Sequence, residues 1–215
     1  MQRLTEKKMD QKTLIDALNE RKEQLQSTLP AKMQVIANKF YPHQNSFSQR
    51  LESLSRSSGS RRSKIHVLNQ IVSDVRAISS DHIACKAGCA NCCYQRVMLS
   101  QTEADAIGHK IGRPAKQLPV SYRISTENAY GRATPCTFLK DDRCSIYDAR
   151  PFVCRNQVNL DVDNLLCSFE NWDLGKVKDP NFVGVPMQDP GPPMIAYRAL
   201  CANDVVGDIR DFFPK

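Results

Sequence analysis

No stretch of the 215-residue chain approaches the ~18 consecutive apolar residues that cross a bilayer, so no membrane span is expected. The first ten residues, Met-Gln-Arg-Leu-Thr-Glu-Lys-Lys-Met-Asp, have no apolar core behind their basic residues and do not resemble a secretory signal. A cytoplasmic protein with reduced thiols is the expectation from these two absences. Internal repeats and a regular strand–helix alternation are missing too, which argues against solenoids and parallel α/β folds. There is no H-E-x-x-H, no P-loop and no G-x-S-x-G. A methyltransferase that binds S-adenosylmethionine would show a Gly-rich turn after a strand, whereas Gly108-x3-Gly112 falls inside an expected helix.

What the chain does have is cysteine, nine in all. Four occupy one short run, Cys85-Lys-Ala-Gly-Cys89-Ala-Asn-Cys92-Cys93, and four more follow at Cys136, Cys144, Cys154 and Cys167. An odd count fits poorly with a closed disulfide set, and a chain of this length can bury a core without covalent staples. Thiolate ligation of a soft or borderline metal uses the spacing best. Cys85-x3-Cys89-x2-Cys92 brings three sulfurs within reach of one centre, and Gly88 removes side-chain bulk where the loop curls. Zinc and iron–sulfur clusters both take four cysteines, so eight suffice for two four-thiolate sites or one shared polynuclear site. The adjacent pair Cys92-Cys93 departs from a simple zinc ribbon, whose paired ligands are two to four residues apart. One of the pair can serve a metal while the other serves a second centre or the core.

Two other uses of this run fit less well. Radical S-adenosylmethionine enzymes share the C-x3-C-x2-C spacing, but about 120 residues follow it here, without the alternation of a partial barrel. Cys89-Ala-Asn-Cys92 has redox-motif spacing without the flanking βαβ pattern of a thioredoxin-like fold.

The residues Ala84 to Cys93, followed by a capped helix, resemble the YkgJ-like cysteine-cluster family, whose domain is associated with zinc or iron chelation. A second block strengthens the resemblance: Pro135-Cys136-Thr137-Phe138-Leu139, then Cys144-Ser-Ile-Tyr-Asp-Ala-Arg-Pro151, then Cys154-Arg155. It covers roughly residues 65–215, and flagellin lysine N-methylases look like distant relatives. The resemblance implies metal chelation more firmly than any reaction. The expected ligands are Cys85, Cys89, Cys92, Cys93, Cys136, Cys144, Cys154 and Cys167; the expected cofactor is iron, as an ion or an iron–sulfur cluster, or zinc. Arg150 and Arg155 could offset thiolate charge, the alternative being ordinary pairing with Asp148 or another carboxylate. Tyr147, Phe138 and Phe152 read as shielding core, His82 as a candidate substitute ligand or a solvated helix end, and Cys201 as a small buried hydrophobe. His109 has less claim as a ligand.

Charge divides the chain. Residues 1–80 hold fourteen Lys/Arg against seven Asp/Glu, whereas residues 81–215 hold sixteen of each. We therefore expect a basic helical extension with a Ser/Arg-rich linker over 1–62 and a cysteine-cluster domain over 63–215. The extension is either a solvated helix or an arm for an acidic protein or nucleic acid, although it lacks interleaved aromatics for base stacking. Periodicity gives a helix over 3–28 ended by Pro30, a second over Met33–Phe40, a linker over Ser46–Ser63 and a helix from Lys64 to Ile78. It then gives an extended segment over Tyr94–Leu99, a capping box at Ser100–Glu103, and a helix stopping near Gly112. A short strand is expected at Val183–Met187 and closing helices over Met194–Phe213. The expected fold class is mainly α, with irregular metal-stabilised loops around the cysteines. Metal binding is the leading function, with a metal-dependent enzyme (protein methyltransferase-like or redox) or a nucleic-acid or partner-binding module as alternatives.

Overall fold

The structure is a computed structural model, and it describes residues 11–124, 131, 133–168, 171 and 191–215. It is mainly helical with two small sheets, as the composition and periodicity suggest. Helix α1 runs without interruption over Gln11–Phe40, with Pro30 inside it. The expected break at Pro30 and the separate Met33–Phe40 helix are therefore corrected to one helix. Leu18, Leu25 and Ile36 are all buried, so both sides of the proline pack on the same body. That burial offsets the ~3 kcal/mol a proline costs inside a helix.

The expected linker is also corrected. Gln44–Arg56 forms helix α2, with Phe47 and Leu54 buried and Leu51 packed beside them. Spacings of four and three put these residues on one face, and that face outweighs a Ser/Arg composition. The Phe40 and Phe47 rings stack at 5.4 Å across the turn between α1 and α2. Ser57–Ser60 then connects to α3, Arg61–Ile78, whose first turn is capped by the Ser60 hydroxyl accepting from the Ser63 N–H.

Helix α3 is the central element. Ile65, Leu68, Ile71 and Val72 are buried along it, and it touches α1, α2 and three later helices. Those are α4 (Gln101–Ile111), α5 (Phe152–Asn156) and α6 (Gly191–Leu200). Strand β1 (Met98–Ser100) pairs antiparallel with β4 (Val206–Asp208), a strand the sequence reading placed within closing helices. The short α7 (Ile209–Phe212) follows, closed by a capping box between Asp208 and Asp211. Strands β2 (Leu139–Lys140) and β3 (Arg143–Cys144) form the other sheet. The expected strand at Val183–Met187 lies outside the described residues.

At the start of α4 the expected box is half present. Ser100 Oγ accepts from the Glu103 N–H, but the Glu103 carboxylate does not turn back. It is fully buried and accepts instead from the Phe152 N–H at 2.6 Å and the Tyr197 hydroxyl at 2.5 Å. Tertiary donors from α5 and α6 outcompete the local one. Gly112 ends α4 in the left-handed region, φ 69°, as the sequence indicates.

Helix α1 packs on the cysteine-bearing half. Leu18 and Leu25 form a core with Leu166, and Leu14, Leu165 and Cys167 border it. Arg21 lies 3.3 Å from Asp161 and 3.0 Å from Asp163, and Lys32 Nζ donates to the Leu160 carbonyl.

Candidate metal centre

Four pieces of chain carry the eight cysteines expected as ligands. In the first, Cys85–Cys93, a turn closes with Cys89 N–H donating to the Lys86 carbonyl. Gly88 sits at φ +93°, and a side chain there would meet open space. Backbone freedom, more than the lack of bulk, is what glycine supplies at this position. A 3-10 turn over Asn91–Tyr94 then sets Cys92 and Cys93 side by side.

The second piece is the β2–β3 hairpin. Asp141 and Asp142 both have positive φ, 47° and 55°, the pattern of a tight two-residue turn. The turn places Cys144 opposite Leu139, and the Cys136 N–H donates to the Cys93 carbonyl at 2.8 Å, tying the hairpin to the first loop. The third piece is α5. Arg150 is extended before Pro151, with φ −58° and ψ 149°, as the residue before a proline should be, and Cys154 follows on the short helix. The fourth is the turn holding Cys167, whose N–H donates to the Asn164 carbonyl.

All nine cysteines are free thiols. Seven of the eight expected ligands, Cys85, Cys89, Cys92, Cys93, Cys136, Cys144 and Cys154, line one cavity of about 60 Å³. Cys167 is not among the lining residues; Asn159 links it to Cys85, donating its backbone N–H to Cys85 Sγ at 3.2 Å and its Nδ2 to Cys167 Sγ at 3.4 Å. Cys201 lies apart, buried with Leu54, Phe152 and Tyr197. His82 and His109 do not line the cysteine cavity. The Nε2 of His82 is buried without a hydrogen-bond partner, and His109 faces the cleft between α3 and α4. Among the described residues no three His, Cys, Asp or Glu side chains already stand at the spacing of ligands on one ion.

The electrostatics are those of crowded, half-desolvated thiols. The Cys93 thiol donates to the Cys92 sulfur, and this is the main reason Cys92 is pushed down to about 7, with Arg150 and Arg76 adding to it. Cys93 is pushed up for the same reason, with burial adding to it. Burial raises Cys85, Cys136, Cys144 and Cys154, and it carries Cys167 to about 12 with the fields of Cys89 and Cys85 adding to it. Arginines oppose this locally: Arg76 at Cys85, Arg210 at Cys136, Arg150 and Arg155 at Cys144. Few of these sulfurs can ionise together unless a cation joins them.

Arg150 stacks over the Tyr147 ring at 3.7 Å. Arg155 donates to the Arg150 and Asp148 carbonyls and to Ser73 Oγ, so the expected alternative of a carboxylate pairing at Asp148 is not what its hydrogen bonds show. Phe138 and Phe152 are buried as read, whereas Tyr147 is half-buried. Two contributors went unread in the sequence. Arg76 donates from α3 to the Cys85 carbonyl at 3.0 Å, and Asn159 serves two sulfurs. Neither belongs to a cysteine motif, so no spacing announces it.

Residues 84–175 match the CxxCxxCC family model, described as "Putative zinc- or iron-chelating domain"; the YkgJ-like family is the same domain family. No curated protein and no solved structure matches the chain.

Proposed function

We propose that Cys85, Cys89, Cys92, Cys93, Cys136, Cys144, Cys154 and Cys167 are thiolate ligands, a reading supported by the match of residues 84–175 to the model of a zinc- or iron-chelating domain. One observation carries the reading: seven of the eight line a single small cavity, although they come from three separate segments of chain. The donor set suits a soft or borderline metal, and all-sulfur sites hold zinc or iron clusters. Metal binding displaces the protons of the coordinating thiols. Arg76, Arg150, Arg155 and Arg210 stand where they offset the charge of the resulting thiolates. The bound metal supplies cross-linking of irregular chain if it is zinc, and electron transfer or sensing if it is iron.

Iron, held as a cluster, is the form we favour, because Cys85-x3-Cys89-x2-Cys92 is a spacing that suits it. Chain purified without oxygen is expected to be coloured, to contain iron by elemental analysis, and to bleach in air. A colourless chain with stoichiometric zinc overturns the iron assignment and keeps the ligands. A folded chain with neither metal overturns both.

A further inference from the structure

The eight cysteines do not share one environment. Cys93 and Cys136 are buried in the core that also holds Val97, Leu99, Phe138 and Phe212, and Cys154 packs against it. Cys167 borders a different core, the one that α1 makes with Leu166. Backbone bonds repeat this division. The Ala84 N–H donates to the Asn159 carbonyl at 2.8 Å, while Asn159 in turn serves the sulfurs of Cys85 and Cys167. The first loop's opening is thus stitched to the chain that leads into Cys167. Its end is stitched elsewhere, through the Cys136 N–H to the Cys93 carbonyl.

The elements follow the same line. Cys144 stands opposite Leu139 in the hairpin, and the Leu139 N–H donates to the Cys136 carbonyl at 3.0 Å, so the hairpin holds Cys136 and Cys144 together beside Cys154. Cys92 lies beside Cys93 at the seam, and its chelating spacing from Cys89 assigns it to the first group.

We infer that the chain holds two adjoining four-cysteine centres, Cys85/Cys89/Cys92/Cys167 and Cys93/Cys136/Cys144/Cys154, which share the cysteine cavity and meet at the Cys92–Cys93 peptide. This rests on the thiolate reading above and adds the division. Asn159 is then a positioning residue for the first centre alone. Its two N–H···S contacts hold Cys85 and Cys167, which are 82 positions apart in sequence, toward one another. The first centre ties the Cys85–Cys92 loop to the irregular chain after α5, on which α1 packs, and the second ties the hairpin and α5 to the turn that precedes β1.

The test counts metal in the full chain. Metal-free protein is loaded anaerobically with zinc(II), freed of excess, and analysed for bound zinc. Two ions per chain are expected, falling to one in Cys167→Ser, to one in Cys144→Ser, and to none in the double variant. Asn159→Ala is expected to keep both ions but to weaken one of them by about tenfold against a competing chelator. A merely structural role for Asn159 would weaken both alike. A single ion in the parent chain, or loss of all zinc from a single variant that keeps its circular dichroism, overturns the division. If a cysteine variant unfolds, the Asn159→Ala competition decides: one weakened ion supports two centres, and uniform weakening contradicts them. A parent chain that binds neither zinc nor iron contradicts chelation itself, a result distinguishable from any of these.

Discussion

Glu103 shows how far one residue's environment can depart from its local signal. It sits where a capping residue would, yet its carboxyl is fully buried beneath α5 and α6. Burial raises it to about 7, and the bonds from Tyr197 and the Phe152 N–H only partly oppose this. The folded chain therefore holds more protons than the unfolded one between about 4.5, the ordinary value, and 7. Stability from this group is complete below that window and is lost as pH rises through about 7, on the order of 3 kcal/mol in total. Denaturant unfolding at a series of pH values should show this decline in the parent chain and a flatter profile in Glu103→Gln. An equal slope in both chains would show that the carboxyl does not titrate in this window. Tyr197, which stacks on Phe152 at 4.5 Å, shares the same buried contact.

Among the elements, the loop Cys85–Cys93 depends most on its backbone. Gly88 at φ +93° adopts a conformation that costs an L-residue about 1–2 kcal/mol. Gly88→Ala should lose about that much stability in chemical denaturation and bind metal more weakly, although the new methyl meets nothing within 4 Å. Unchanged stability would mean the loop relaxes to another path. The elements also mark where sequence reading works and where it stops. Apolar spacing found α3 and α4, and the Gly112 stop of α4, because those signals are local. Pro30 and the Ser/Arg run over 46–63 misled for one reason. Both are compositional signals, and burial of Leu25, Ile36, Phe47 and Leu54 against distant chain outweighs them. Strand β4 is three residues long and has meaning only beside β1. The cysteine cluster was legible because its spacing is chemical, whereas Asn159 and Arg76 act through contacts that no motif records.

Across the whole molecule, the basic N-terminal half and the neutral cysteine half are linked by charge. Arg21 meets Asp161 and Asp163, Lys39 meets Asp81, and Arg61 meets Asp204 at 2.6 Å. Part of the net charge of the first 80 residues is thus spent on internal contacts, which weakens the case for a free arm seeking nucleic acid. Exposed pairs of this kind are worth little singly, but here they accompany the apolar core of Leu18, Leu25 and Leu166. Helix α1 and the Cys167 turn therefore form one unit, and metal at Cys167 should stabilise both.

The central claim is that the cysteines are thiolate ligands. It is tested most directly by the mass of the intact chain, purified anaerobically and measured under non-denaturing conditions. The account predicts a mass above that of the sequence by the bound metal, with its inorganic sulfide where the metal is an iron–sulfur cluster, less the protons that the coordinating thiols give up. Chelator treatment should return it to the sequence mass and expose the ligand cysteines to alkylation. A folded chain at the bare sequence mass, with the same thiols alkylated before and after chelation, would contradict it.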